Sequence, residues 1–184
     1  MAMALLTSAI EEAGRWLGYR YLFPRGGYQL NWRNGVMYGL GHGSLETLLL
    51  IAGLTFVNLL AYVALSRMEP EILLSEMGMG ASPAFREALQ SIVNASWSQP
   101  LVVAWERVLA LPHQVAWSLL VMSSLAWRQK RWFGFAVLYH ASVAVIVPGL
   151  ARLFGFAAAE SVNMALAALS LWIILKLRTI TGEE

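Results

Sequence analysis

Cysteine is missing from the chain altogether, which removes disulfides and thiol chemistry and leaves the redox compartment open. Charge is scarce as well. Only 13% of the 184 residues are charged, well below the roughly one quarter typical of a soluble domain. The formal net charge is only +2 and the basic residues are spread over short connections, so nucleic acid is not an expected partner. There is no internal repeat and no low-complexity tract. The first apolar stretch is not expected to be a signal peptide: it has no positive leading region, and Glu11, Glu12 and Arg15 interrupt its middle.

Hydrophobic residues, by contrast, make up 58% of the chain. A domain this small cannot hide so much apolar surface in one core, and lipid is the natural solvent for it. The apolar runs recur at lengths of about 20 residues, which is what a helix needs to cross the hydrocarbon layer. They are continuous and rich in Leu and Ala, without the alternation of a barrel strand. The expected fold is therefore all-α, a polytopic transmembrane helix bundle in a single domain over residues 1–184. Five spans are predicted: about Met3–Leu22, Gly35–Ser66, Pro100–Trp127, Arg131–Val147 and Ala158–Lys176. Gly149 and Gly155 bracket the turn before the last. The more polar connection 67–98 predicts two short amphipathic helices, Pro70–Met77 and Pro83–Val93, each opened by its proline.

Lys and Arg set the orientation. The first connection holds Arg20, Arg25 and Arg33, the third Arg128, Lys130 and Arg131, and the C-terminal end Lys176 and Arg178. The second balances Arg67 and Arg86 against Glu69, Glu71, Glu76 and Glu87, and the fourth carries Arg152 and Glu160. This alternation places the C-terminus in the cytoplasm and the N-terminus outside, in what is expected to be a bacterial inner membrane. No targeting helix precedes the first span, and further helices upstream are expected. Trp16, Trp32, Trp127 and Trp132 mark interface anchors.

Ionisable residues at membrane depth cost at least about 2.5 kcal/mol each on insertion scales, so those present are candidates for function. Glu11 and Glu12 lie about one turn from Arg15 and can pair with it. An ion pair near a helix end would explain one carboxylate. The second would be held neutral by burial, as a general acid or base requires. His42 and Glu46, four apart within Gly39-Leu40-Gly41-His42-Gly43-Ser44-Leu45-Glu46, share a helix face. The same glycines suit a plain packing seam with one His–Glu hydrogen bond. Glu106 and His113 are seven apart on one face, and Pro112 predicts a kink beside His113. A kinked helix with a satisfied core histidine accounts for that pair equally well. His140 alone reads as a structural residue. Together, however, all three histidines and the glutamates Glu11, Glu12, Glu46 and Glu106 fall within predicted spans, and one shared polar site explains that most economically.

These residues carry a resemblance. The chain resembles the YhfC family of intramembrane proteases, related to the CAAX-protease, bacteriocin-processing and PrsW-like enzymes, over nearly its whole length. The matching motifs are Glu11-Glu12-Ala13-Gly14-Arg15, the segment Gly39 to Glu46, Glu106-Arg107-Val108-Leu109-Ala110 leading to His113, and His140. The resemblance implies an endopeptidase in which Glu11 or Glu12 takes a proton from water, while His113 and His140 position that water or stabilise the oxyanion. Arg15 would select the ionised glutamate, with His42, Glu46 and Glu106 in support. The substrate would be a membrane protein or a lipidated peptide. A zinc enzyme with His42, His113 and His140 as ligands remains an alternative. The chain has no HExxH, and the metal-free glutamic mechanism is the favoured expectation. The family commonly has Asp or Asn four residues after the last histidine; here Ala144 stands there. That departure keeps open a catalytically dead scaffold, beside a proton-coupled carrier.

Overall fold

In hydrocarbon every backbone N–H and C=O needs a partner within its own segment, so long apolar runs wind into helices. The computed structural model of the chain describes residues 2–65, 83, 87 and 99–180, and among these there is no strand. Helix α1, Ala2–Leu17, passes through a wide π-helical stretch, Gly18–Leu22, into the short α2, Phe23–Arg25. Then come α3, Trp32–Glu46, a second π-helical stretch, Thr47–Ala52, and α4, Gly53–Leu65. The remaining described helices are α5, Gln99–Ala126, α6, Arg131–Phe154, and α7, Phe156–Ile180. Three described stretches are long and apolar enough to cross a membrane: Leu101–Ala126, Arg131–Phe154 and Phe156–Arg178.

The chain forms two compact units, one of residues 1–44 with 107–184 and the other of residues 45–106. In the first unit every residue of α5 from His113 to Ser124 is buried. A helix enclosed on all faces is a central one. Helix α6 packs on α1 and on α7, and its buried positions are Ala136 and Ala141. Small residues there let the neighbouring backbones come close. On α7, after Ala159, the buried residues Glu160, Asn163, Ala167, Ser170, Ile174 and Leu177 recur every three or four positions, the spacing of one helix face.

Glycines on α3 set its approach to α5. A Cβ at Gly39 would lie 2.7 Å from the Val115 Cα and 3.1 Å from the Gln114 carbonyl oxygen, and one at Gly43 would lie 3.0 Å from the Gln114 Cγ. The packing seam legible in the Gly39–Gly43 pattern is thus present. Gly39→Ala forces the two backbones apart and is expected to lower stability by about 1–3 kcal/mol. The midpoint of thermal unfolding in detergent measures it. Gly41→Ala is the control, since nothing lies within 4 Å of a Cβ there.

Pro112 lies inside α5, which continues through it. Pro148 lies inside α6, so that helix runs past the expected end at Val147 and Gly149 is helical. A single missing N–H costs one hydrogen bond, and the apolar surroundings favour keeping all the others. The break falls at Gly155 alone, with φ +84°, a conformation that glycine adopts without steric cost. The amphipathic helices expected over Pro70–Met77 and Pro83–Val93 lie, apart from positions 83 and 87, outside the described residues.

Candidate functional site

Helix α1 is built inside out relative to a soluble helix. Its buried residues are Ser8, Glu12 and Arg15, while Met3, Leu5, Leu6, Ile10 and Leu17 are exposed. The spacing 8, 12, 15 keeps the polar groups on one face. That face meets α5 and α6 instead of the apolar surroundings.

Glu12 and Arg15 are both fully buried. Their ion pair runs from the Arg15 Nη1 to the Glu12 Oε1, and the second guanidinium nitrogen, Nη2, donates to the Oε1 of Gln114 on α5. The Glu12 Oε1 also accepts from the His140 Nδ1 at 2.7 Å. This bond places the imidazole hydrogen on Nδ1 and leaves Nε2 with the lone pair. Glu11, whose side chain is 41% exposed, brings its Oε2 to 3.8 Å from that Nε2 and 3.7 Å from the Arg15 Nη2. The two glutamates therefore differ in kind: one is sealed into an ion pair and the other stands at the open side.

Trp117 of α5 holds the arrangement from below. Its ring stacks on the His140 imidazole at 3.8 Å between centroids and 9° between planes. The Arg15 guanidinium carbon stands 5.8 Å from the same ring, and the His113 imidazole is near-parallel to it at 5.7 Å. Two cationic or potentially cationic groups on one indole form a cation–π platform. Gln114 and Trp117 follow His113 by one and four residues. They are residues that the motif pattern did not single out.

His113 is buried and faces α6 and α7. Its Nδ1 lies 2.8 Å from the Ser170 Oγ and its Nε2 3.3 Å from the Asn163 Oδ1. Ser170 in turn lies 2.8 Å from the Tyr139 hydroxyl, which donates to the Leu166 carbonyl at 2.8 Å. The last helix thus contributes Asn163 and Ser170, seven residues apart on one face. That spacing within an apolar span was the available sequence signal. Glu160 lies buried near the start of α7.

Of the residues singled out in the sequence, the structure joins Glu11, Glu12, Arg15 and His140 by direct contacts, and connects His113 to His140 through Trp117. His42 is half-buried on α3, one residue before the Gly43 that admits Gln114. Glu46 and Glu106 belong to the second unit, residues 45–106. Among the described residues no group of three or more His, Asp or Glu side chains is placed to hold one metal ion.

Comparison with known proteins agrees with the motif pattern. A family model described as YhfC intramembrane metalloprotease matches residues 2–170. The chain is also 27% identical over 181 residues to a protein of Bacillus subtilis (strain 168) described as "Uncharacterized membrane protein YhfC". That match covers 96% of this chain and 67% of the relative. No solved structure matches the chain.

Proposed function

Starting from the chain's membership of the YhfC intramembrane metalloprotease family, we propose that it is an intramembrane endopeptidase, hydrolysing peptide bonds of membrane-embedded proteins or lipidated peptides. The observation that carries this reading is the buried Glu12–Arg15 pair holding His140, with Glu11 beside it at the open side. Family membership makes the chain a membrane protein. The arrangement proposed for it is a single domain of five spans, with the C-terminus in the cytoplasm of a bacterial cell.

Glu11 takes a proton from water, and the water oxygen bonds to the substrate carbonyl carbon. The proton passes by way of the His140 Nε2 to the amide nitrogen as the C–N bond breaks. One water is consumed, and a carboxyl and an amine are released. Arg15 fixes Glu12 as a carboxylate, and Glu12 fixes the tautomer of His140, so the imidazole is set before substrate arrives. His113 orients the water. The scaffold alternative drew its support from Ala144, which leaves His140 without a partner on its own helix. The hydrogen bond from Glu12 supplies one from α1.

The family's name makes zinc the ion to test. As placed, the donors do not fit it: the Glu12 Oε1 is shared between Arg15 and His140, and among the described residues no three His, Asp or Glu side chains are placed to hold one metal ion. The mechanism is therefore derived from the chain's own groups alone. Purified protein, offered a panel of membrane-tethered peptides, is expected to cleave in the presence of a chelator. Cleavage that chelator abolishes and zinc restores would replace this mechanism with a metal-dependent one. A folded protein that cleaves nothing, but carries protons in proteoliposomes on addition of a substrate, would overturn the protease reading.

A further inference from the structure

The hydrogen bonds around His113 have one consistent set of directions. The Leu166 carbonyl can only accept, so the single hydrogen of the Tyr139 hydroxyl is directed to it. With that hydrogen committed, the 2.8 Å contact between Tyr139 and Ser170 requires Ser170 to donate. Its single hydrogen is then also committed, and the 2.8 Å contact between the Ser170 Oγ and the His113 Nδ1 requires the imidazole to donate. A neutral ring so arranged carries its lone pair on Nε2. This nitrogen faces the side-chain amide of Asn163 at 3.3 Å. The two ends of that amide exchange by a half turn without moving a heavy atom, so Asn163 satisfies Nε2 by donating its N–H. The chain of donors ends on a backbone carbonyl of α7 and has no second direction in which to run.

We propose that Ser170, Tyr139 and Asn163 are positioning residues that hold His113 as its Nδ1–H tautomer, keeping Nε2 as a hydrogen-bond acceptor for the attacking water. The inference rests on the protease reading above. Of the two bonds to the ring, the one at Nε2 is the longer, and it is the one a water displaces. A water bound there directs one hydrogen at His113, which orients its oxygen lone pair for the substrate carbonyl. No covalent step is added to the mechanism. What the last two helices add is the choice of nitrogen.

The test is nitrogen-15 NMR of histidine-labelled protein in lipid nanodiscs, with His113→Gln to assign the signal, run beside cleavage of a membrane-tethered peptide. Wild-type protein is expected to show His113 with a protonated Nδ1 and a bare Nε2. Tyr139→Phe removes the acceptor of the Ser170 hydrogen and releases that hydrogen to turn toward Nδ1. The ring hydrogen is then expected to move to Nε2, and kcat to fall about tenfold with KM changed less than about twofold. Ser170→Thr keeps the hydroxyl and is expected to retain both the tautomer and the rate. Should Tyr139→Phe fail to fold, Ser170→Ala makes the same test by removing the acceptor of Nδ1–H. A wild-type His113 protonated at Nε2, or a tautomer unmoved by these changes, would overturn the proposal. The expected tautomers without any cleavage by wild-type protein would instead overturn the protease reading and leave the positioning network standing.

Discussion

Glu11→Gln is expected to reduce cleavage of a membrane-tethered peptide at least about a hundredfold, the scale of a lost general base, while leaving the helical fold intact. The glutamine has the same shape and keeps an oxygen toward the His140 Nε2, but it cannot take a proton from water. Arg15 keeps its closer pair with Glu12 when the Glu11 charge is removed, and the thermal midpoint in detergent is expected to move little. Glu12→Gln is the informative contrast. It retains an acceptor for the His140 Nδ1–H but removes the negative charge opposite a guanidinium with no exposure. It is expected to lose stability as well as rate. A Glu11→Gln protein that still cleaves at the wild-type rate would transfer the role of base to Glu12 and reverse the assignment.

Arg15→Met is expected to have the largest effect on stability, with a loss of roughly 3–5 kcal/mol, the range for breaking one side of a buried ion pair. The methionine fills much of the space but leaves the Glu12 carboxylate without its counter-charge, and deprives Gln114 of the donor that ties α1 to α5. Unfolding in increasing denaturing detergent, followed by far-ultraviolet circular dichroism, measures the loss. The double variant Glu12→Gln with Arg15→Met removes both charges and is expected to recover part of it, because no uncompensated charge is then buried. A single Arg15→Met protein as stable as wild type would show that Glu12 is satisfied from elsewhere.

A helical membrane bundle was legible from the sequence because its cause is local. A run of apolar residues about 20 long meets a solvent that offers no hydrogen bonds, and it becomes a helix whatever its neighbours. Glu11, Glu12 and Arg15 stand out in the sequence for a similar reason, because charged groups in an apolar run are costly, whereas His140 by itself reads as a structural residue. The glycine pattern before His42 likewise announced a close helix contact. The ends of the helices were less so, since the fourth span was expected to end at about Val147 but α6 runs on through Pro148 to Phe154, where the surroundings favour continuing the hydrogen-bond ladder.

Tertiary structure alone decided which of these groups meet. The sequence places Glu11 and Glu12 side by side and cannot distinguish them. Their difference arises because consecutive residues on a helix point about 100° apart, so that one turns into α5 and α6 and the other to the open side. It cannot show that His140 obtains its partner from α1, 128 residues away, in place of a residue one turn along its own helix. Nor does it point to Gln114 and Trp117, and the seven-residue spacing of Asn163 and Ser170 is its one faint signal on α7. Amides, hydroxyls and indoles are cheap enough in an apolar span to pass as ordinary packing until a histidine from another helix is found against them.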